Sequence, residues 1–181
     1  GIQMGVSGKV FMYGNTKLYA IFDVNTYNVV YDVNGGASLS SNIHEMVFDE
    51  EYELMTATRV GYTFKGWKYN DSFFDNKGVW TLDKDITLVA EWEIIDYSIE
   101  YVLNGGICNS NNLTTYNYET ETFTLKNPTK VGYTFKGWTQ EGESTPVIVY
   151  TISKNSYGDK VFTAHWEANE YTITFDVNGG E

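Results

Sequence analysis

Three short motifs recur in the same order along the chain, and this repetition limits the possible folds more than any other feature of the sequence. The octapeptide VGYTFKGW occurs at residues 60–67 and again, unchanged, at residues 131–138. A decapeptide that ends in Asn-Gly-Gly precedes each copy, at 27–36 and 97–106, and occurs a third time at 171–180. Self-similarity at a fixed period predicts tandem copies of one small folded unit.

The third motif is a strand-like segment that closes each unit. It ends in an aromatic residue five positions before the tyrosine that starts the next decapeptide. This spacing predicts two complete repeats, at residues 27–96 and 97–170. Residues 1–26 are predicted to be the C-terminal part of a preceding repeat, and residues 171–181 the first strand of a following one. We therefore expect the sequence to be a segment of a longer array.

The decapeptide alternates between apolar and more polar positions. In its first copy, Val29, Tyr31 and Val33 share one face, and Asp32 lies on the other. A period of two predicts a strand with one buried face. The terminal Asn-Gly-Gly predicts a hairpin turn, because asparagine and glycine tolerate the positive φ that tight turns require. Phosphate binding by this turn is disfavoured, since the spacing of known phosphate-binding loops and a following helix pattern are both missing. The predicted turn residues are Asn34, Gly35, Gly36, Asn104, Gly105, Gly106, Asn178, Gly179 and Gly180.

The repeated octapeptide has two interpretations, a functional site used twice or a structural element built twice. Tyr62 and Phe64 share one face of the predicted strand, and Gly66 predicts a bulge that turns Trp67 onto the same side. Burying one large side chain contributes roughly 1.5–3 kcal/mol, which is a large share of the stability of a small unit. This favours the structural interpretation. The predicted repeat core consists of Tyr31, Tyr62, Phe64, Gly66, Trp67 and Trp92, with Tyr101, Tyr133, Phe135, Gly137, Trp138 and Trp166 in the second repeat.

Composition and charge exclude several functional classes. The formal net charge is −12, which disfavours binding to nucleic acid or to an anionic membrane surface. A single cysteine, Cys108, excludes an intrachain disulfide. No apolar run approaches the roughly 20 residues that span a bilayer, so we expect no membrane insertion of this segment.

Catalytic and metal-binding patterns are also missing from the sequence. His44 and His165 do not occupy equivalent positions in the two repeats, and we expect both on the solvated surface. No nucleophile–base spacing, zinc motif or calcium loop is present. The sequence therefore predicts a protein that is not an enzyme and uses no cofactor or metal.

The motif order YTITFDVNGG, GYTFKGW and TLVAEW resembles the Listeria–Bacteroides repeat, the B-repeat of internalin-type bacterial surface proteins. This resemblance implies an α+β, β-rich fold: tandem β-grasp (ubiquitin-like) repeats of about 70 residues, with a mostly antiparallel sheet and one short helix. A short helical turn before each octapeptide fits that fold. The chain departs from the family pattern at Ala57, where proline is usual, and in a longer insert at 139–160.

The resemblance also implies a location and a role. The location is extracellular, on the bacterial cell surface or secreted, and the role is that of a spacer or an adhesive module that contacts a host or bacterial surface protein or a glycan. The alternative is a carbohydrate-binding module that stacks sugars on exposed aromatic rings. The aromatic residues outside the repeated pattern are Tyr69, Phe73, Phe74, Tyr116 and Tyr118.

Self-association is a further expectation. Strand 171–177 and segment 9–22 each lack the rest of their repeat, so each is expected to expose an unpaired strand edge. Exposed edges recruit other strands. We therefore expect head-to-tail association of chains through these edges.

Overall fold

The computed structural model describes residues 23–176 and 178–180. Predictions that concern residues 1–22, Val177 and Glu181 lie outside the described residues, and these include the closing motif of the preceding repeat. The described chain forms two successive β-rich units, which we call repeat 1 (27–96) and repeat 2 (97–170) after the predicted boundaries.

Repeat 1 is built around a five-stranded mixed sheet. Its strands are β1 (Thr26–Asp32), β2 (Ile43–Val47), β3 (Glu51–Glu53), β4 (Tyr62–Tyr69), β5 (Ser72–Phe74), β6 (Lys77–Val79) and β7 (Ile86–Ile94). The order across the sheet is β2-β1-β7-β4-β5, and β1 and β7 pair in parallel at its centre while the other neighbours are antiparallel. Strands β3 and β6 form a separate antiparallel pair.

Repeat 2 keeps the same central arrangement with fewer strands. Its strands are β8 (Asp96–Val102), β9 (Thr115–Asn117), β10 (Phe123–Thr124), β11 (Tyr133–Gln140), β12 (Thr151–Ile152) and β13 (Lys160–Ala168). The four-stranded sheet has the order β11-β13-β8-β9, with β8 and β13 parallel. Strands β10 and β12 pair separately.

The described residues contain no helix, and the predicted α+β β-grasp fold is therefore wrong: both repeats are all-β. The segments expected to form a helical turn lie directly before each octapeptide, and their backbone groups bond to the residues that follow each Asn-Gly-Gly turn. The amide of Ala37 donates to the carbonyl of Thr58 at 2.7 Å, and the amide of Thr129 donates to the carbonyl of Ile107 at 3.0 Å.

Each repeat has its own hydrophobic core on one face of its sheet. In repeat 1, Trp67, Trp80 and Leu88 are almost fully buried, and in repeat 2 Trp138 and Phe162 are. The sequence pattern did not identify Trp80, because it belongs to no repeated motif. Two separate cores indicate that the repeats are structural units in their own right.

A β-bulge lies within each octapeptide. The pairing of β4 with β7 shifts register between Phe64 and Gly66, and β11 shows the same shift between Phe135 and Gly137. The extra residue turns Trp67 toward Phe64, and their ring centroids are 5.3 Å apart in an edge-to-face arrangement. The glycine in the octapeptide thus lets two aromatic side chains reach the same core.

Candidate inter-repeat contact site

The repeated motifs meet at one end of each repeat, around the Asn-Gly-Gly turn. In repeat 1 the amide of Gly36 donates to the carbonyl of Val33 at 2.8 Å, and Asn34 and Gly35 have φ values of 45° and 81°. The strands before and after this turn, β1 and β2, pair as an antiparallel hairpin, but the connection between them is longer than a tight turn and also bonds to another segment. The amide after the turn donates to the carbonyl of Thr58 at 2.7 Å, so the turn joins the segment that precedes the octapeptide. Strand β2 begins only later.

The closing tryptophan packs directly on the turn. The indole Nε1 of Trp92 donates to the carbonyl of Val33 at 3.0 Å, and the side-chain amide of Asn34 donates to the carbonyl of Ala90 at 3.1 Å. A Cβ on Gly36 would lie 2.6 Å from Cζ2 of Trp92, so only glycine fits there. The turn and the closing strand are therefore one structural element.

Repeat 2 reproduces this arrangement. Trp166 Nε1 donates to the carbonyl of Leu103 at 2.9 Å, and Asn104 donates to the carbonyl of Ala164 at 3.0 Å. A Cβ on Gly106 would lie 2.4 Å from the Trp166 ring. In the third copy, Asn178 and Gly179 show the same backbone conformation, with φ values of 46° and 81°.

A basic residue before each octapeptide completes the end of the repeat. The Arg59 guanidinium lies 3.8 Å from the centroid of the Tyr62 ring and donates to the carbonyl of Asn34 at 3.3 Å. The Lys130 amine lies 4.1 Å from the centroid of the Tyr133 ring. Cations over aromatic faces are favourable contacts at a surface.

Tyr62 and Tyr133 therefore lie at the end face of each repeat rather than in the core, where the sequence pattern placed them. Tyr133 is 41% exposed. The reason is positional: each tyrosine opens its strand, before the bulge, and its ring packs beneath the neighbouring cation. Of the other predicted core side chains, Tyr31, Trp67 and Trp138 are buried. The remainder are partly buried against the two cores, namely Phe64, Trp92, Tyr101, Phe135 and Trp166. The bulge glycines Gly66 and Gly137 are buried.

The end face of repeat 1 is in contact with repeat 2. Tyr118, just beyond β9, lies against Gly61 so closely that a Cβ there would be 2.5 Å from the Cβ of Tyr118. The rings of Tyr118 and Tyr62 meet edge to face with centroids 6.3 Å apart. The Tyr62 hydroxyl donates to the Glu119 carboxylate. This hydrogen bond raises the pKa of the Tyr62 phenol, and burial contributes a smaller increase.

The covalent connection reinforces this contact. Strand β7 ends at Ile94 and β8 begins at Asp96, so a single residue separates the last strand of repeat 1 from the first strand of repeat 2. The amide of that residue, Ile95, donates to the carbonyl of Gly61 at 3.0 Å. Asp96 in turn accepts a hydrogen bond from the side-chain amide of Asn117 at 2.9 Å. Backbone and side-chain bonds thus fix the path of the chain from one repeat into the next.

The turn that presents Tyr118 is itself braced. The amide of Glu119 donates to the side-chain oxygen of Asn117 at 3.2 Å, and the amide of Thr120 donates to the Asn117 carbonyl at 3.0 Å. The amide of Asn155 donates to the Tyr118 carbonyl at 3.2 Å. We call this segment, residues 117–120, the docking turn. Its aromatic residue is held in position before it meets repeat 1.

Sequence reasoning missed the contact role of the docking turn, because Tyr118 is not in a repeated motif. A signal was nevertheless present. The tyrosine that opens each decapeptide pairs with Met46 in repeat 1 and with Tyr116 in repeat 2, so Met46 and Tyr116 are equivalent. Phe48-Asp49 in repeat 1 therefore occupies the positions of Tyr118-Glu119 in repeat 2. Both repeats therefore carry an aromatic residue followed by an acid at this place.

The other aromatic residues outside the pattern do not form an exposed platform for sugar rings. Tyr116 is buried and its hydroxyl donates to the carbonyl of Gly158. Tyr69 and Phe74 pack against the core of repeat 1. Phe73 is exposed, beneath the Lys68 amine at 5.3 Å.

The described residues show no cluster suited to metal binding. No group of three or more histidine, cysteine, aspartate or glutamate side chains is close enough to hold a metal ion within residues 23–176 and 178–180. His44 contacts the Tyr31 hydroxyl at 3.3 Å and His165 contacts the Thr139 hydroxyl at 2.8 Å, in different repeats. Both histidines are partly buried rather than fully solvated. In the described part of the chain, no helix is long and apolar enough to cross a membrane.

Comparison with known proteins identifies relatives over nearly the whole chain. Two proteins of Evansella cellulosilytica, described as a Gly-rich membrane protein and a membrane protein, are each 35% identical, over 92% and 90% of this chain. Internalin H of Listeria monocytogenes is 33% identical over 62% of it. The chain spans only 19%, 24% and 20% of the lengths of these three relatives.

A solved structure of Streptococcal High Identity Repeats in Tandem (SHIRT) domains 3-4 from a cell surface protein is similar over 80% of this chain and 98% of its own, with 13% identity and a TM-score of 0.25. A similarity this low carries no argument about shared fold or function. The family model of the Listeria-Bacteroides repeat domain matches residues 27–91 and 97–165. The chain belongs to the Listeria-Bacteroides repeat family and contains two tandem copies of its domain.

Proposed function

We propose that the chain is a non-catalytic spacer segment of a bacterial cell-surface or secreted protein, in which consecutive repeats are held at a set relative orientation. The observation that carries the proposal is the contact of Tyr118 in repeat 2 with Gly61 and Tyr62 at the end of repeat 1. A string of independent domains would need no such contact.

Three restraints act together at this junction. The connection is one residue long, its amide is bonded to the Gly61 carbonyl, and the aromatic contact lies beside that bond. A flexible linker would allow the repeats to swing freely, whereas a short connection braced on both sides restricts hinge motion. Restricted motion at each junction makes an array stiff. A stiff array can hold a terminal domain away from the cell surface.

The relatives and the charge support the proposed location. Internalin H and the two described membrane proteins contain segments similar to this one. The net charge of −12 favours solubility and opposes non-specific adhesion between stalks. An antibody raised against this segment is expected to bind intact bacteria that carry the parent protein, and mild external proteolysis should abolish binding. Binding that requires cell lysis would refute the surface location.

The junction is tested by measuring the motion of each repeat. In the wild-type chain, NMR relaxation should give the same rotational correlation time for both repeats. Tyr118→Ser removes the contact. Because each repeat then tumbles more independently, we expect both correlation times to become shorter and to differ from each other. Tyr157→Ser, an exposed tyrosine of repeat 2, is the matched control and should leave both unchanged. Identical relaxation in the wild type and in Tyr118→Ser would contradict a junction stiffened by this contact.

A further inference from the structure

We infer that the end face of repeat 2 is a docking site for the aromatic–acidic turn of a following repeat. The inference rests on the proposed function, since it extends the repeat 1–repeat 2 contact to the next junction. The face consists of Ile107, Lys130, Val131, Gly132 and Tyr133, and we call it the open end face.

The open end face repeats the Val-Gly-Tyr of the covered face of repeat 1, with Lys130 in place of Arg59 and Ile107 in place of Ala37, but its surroundings differ. Gly61 is buried beneath Tyr118, whereas a Cβ on Gly132 would meet nothing within 4 Å among the described residues. Val131 is 96% exposed and Ile107 is 69% exposed. The counterpart of Val131 on the covered face, Val60, is 56% exposed, so the absence of a neighbour in the described chain uncovers a further part of this side chain.

The backbone of the open end face is already in the docking conformation. Gly132 has a φ of 78°, against 79° for Gly61. The amide of Asn169 donates to the Gly132 carbonyl at 2.9 Å, as the amide of Ile95 does to the Gly61 carbonyl at 3.0 Å. The chain therefore leaves repeat 2 in the direction in which it leaves repeat 1. A partner would find the face preorganised, and little ordering would oppose its binding.

The occupant is indicated by the sequence that leaves repeat 2. Residues 171–180 repeat the first-strand decapeptide, and Ile173 and Phe175 are 76% and 84% exposed. The equivalent positions in repeat 2, Ile99 and Tyr101, pack into its core. A complete following repeat would cover this strand and would bring its own docking turn to the open end face.

The chemistry of that turn follows from the two copies present in this chain. Tyr118-Glu119 and Phe48-Asp49 both place a carboxylate directly after an aromatic ring. At the open end face, the ring would lie on Gly132, and the carboxylate would accept a hydrogen bond from the Tyr133 hydroxyl close to the Lys130 amine. An occupant with a basic residue after its aromatic ring would be repelled by Lys130.

The test uses the full chain and a version with a second copy of residues 97–170 inserted between Glu170 and Tyr171, which keeps the natural spacing. Hydrogen exchange measured by mass spectrometry compares segments 59–63 and 130–134. Val131→Ile in the inserted copy, at a 96% exposed position, changes the mass of that copy's segment, so the original segment 130–134 is read separately. In the natural chain, segment 130–134 should exchange faster. In the extended chain we expect its exchange to slow by about tenfold or more, because a buried aromatic contact must open first.

A matched variant of the extended chain identifies the occupant. Tyr118→Ser in the inserted copy alone should return segment 130–134 to fast exchange and leave segment 59–63 protected. If segment 130–134 stays fast in the extended chain while 59–63 is protected, the docking site is refuted and the spacer function stands. If 59–63 is itself unprotected, the contact underlying the spacer function fails. Protection in the natural chain that rises with protein concentration would show that a second chain fills the face, and would overturn the assignment to a following repeat.

Discussion

The two copies of VGYTFKGW have identical sequences and different surroundings. In repeat 1, Gly61 is covered by Tyr118 and the Tyr62 hydroxyl donates to Glu119. In repeat 2, a Cβ on Gly132 would meet nothing within 4 Å among the described residues, and the Tyr133 ring lies beneath the Lys130 amine of its own repeat. In both repeats the end of the octapeptide packs in the core, and in repeat 1 its first residues also contact repeat 2. Among the described residues, the contact is made at the end face that a complete repeat follows.

A second difference lies inside the cores. Trp67 Nε1 donates to the carbonyl of Met55 at 2.6 Å, whereas Trp138 Nε1 is buried and has no hydrogen-bond acceptor in the described part of the chain. The carbonyl equivalent to that of Met55 belongs to Lys126, and the side-chain amide of Asn112 donates to it at 2.8 Å. Variable segments thus change the hydrogen bonding of an invariant motif.

The largest expected difference between the repeats concerns alkaline pH. Burial raises the pKa of Tyr101, Tyr116 and Tyr150, all in repeat 2, to about 12 from an ordinary value of 10.0. Burial also raises the pKa of Tyr31 and Tyr52 in repeat 1, but by less. A raised tyrosine pKa means that the folded state favours the neutral phenol. Its contribution to stability is complete below pH 10 and is lost as the pH rises through about 12. We expect repeat 2 to unfold in this range, which core methyl signals of Leu125 and Ile152 in NMR spectra would report.

Tyr116→Phe tests the cause of that transition. This substitution removes one of the buried phenols, so the midpoint pH of the alkaline unfolding of repeat 2 should rise. It also removes the hydrogen bond to the Gly158 carbonyl, which lowers the stability of repeat 2 at neutral pH. Tyr157→Phe removes an exposed phenol and should leave the midpoint in place. An unchanged midpoint in Tyr116→Phe would contradict the role of this buried phenol.

The glycines of the end faces provide the second comparison. Gly61→Ala and Gly132→Ala impose the same backbone strain, since both glycines have φ values near +79°. Only Gly61→Ala also drives a Cβ into Tyr118. We expect Gly61→Ala to destabilise its repeat by about 1–3 kcal/mol more than Gly132→Ala does, which is the usual cost of overpacking. Denaturant unfolding followed by hydrogen exchange in each repeat measures both values, and equal losses would show that the contact adds no stability.

The smallest expected difference concerns the buried indoles. Trp67→Phe and Trp138→Phe remove similar volumes from similar cores. Trp67→Phe also breaks the bond to the Met55 carbonyl, while Trp138→Phe removes a donor that lacks an acceptor. We expect Trp67→Phe to lower the free energy of unfolding by about 1 kcal/mol more than Trp138→Phe does. Denaturant unfolding measures both free energies. A larger decrease in Trp138→Phe than in Trp67→Phe would contradict the hydrogen bond between Trp67 and the Met55 carbonyl.

The sequence by itself determined the repeat period, the main strands and the family. These follow from local signals: alternation of apolar residues in the decapeptide, a glycine in the octapeptide strand, and motifs in a set order. The sequence also indicated that Trp67 and Trp138 should be buried, because apolar residues on the face of a small unit have few other places to pack.

Only the tertiary structure decided the absence of a helix in the described residues, the path after the Asn-Gly-Gly turn, and the role of Tyr118. Each depends on a partner distant in sequence: Thr129 bonds to Ile107, Ala37 bonds to Thr58, and Tyr118 meets Gly61. Local propensity is weak, and pairing between distant segments overrides it. Whether an end face is covered depends on the neighbouring repeat, so its own residues could not reveal it.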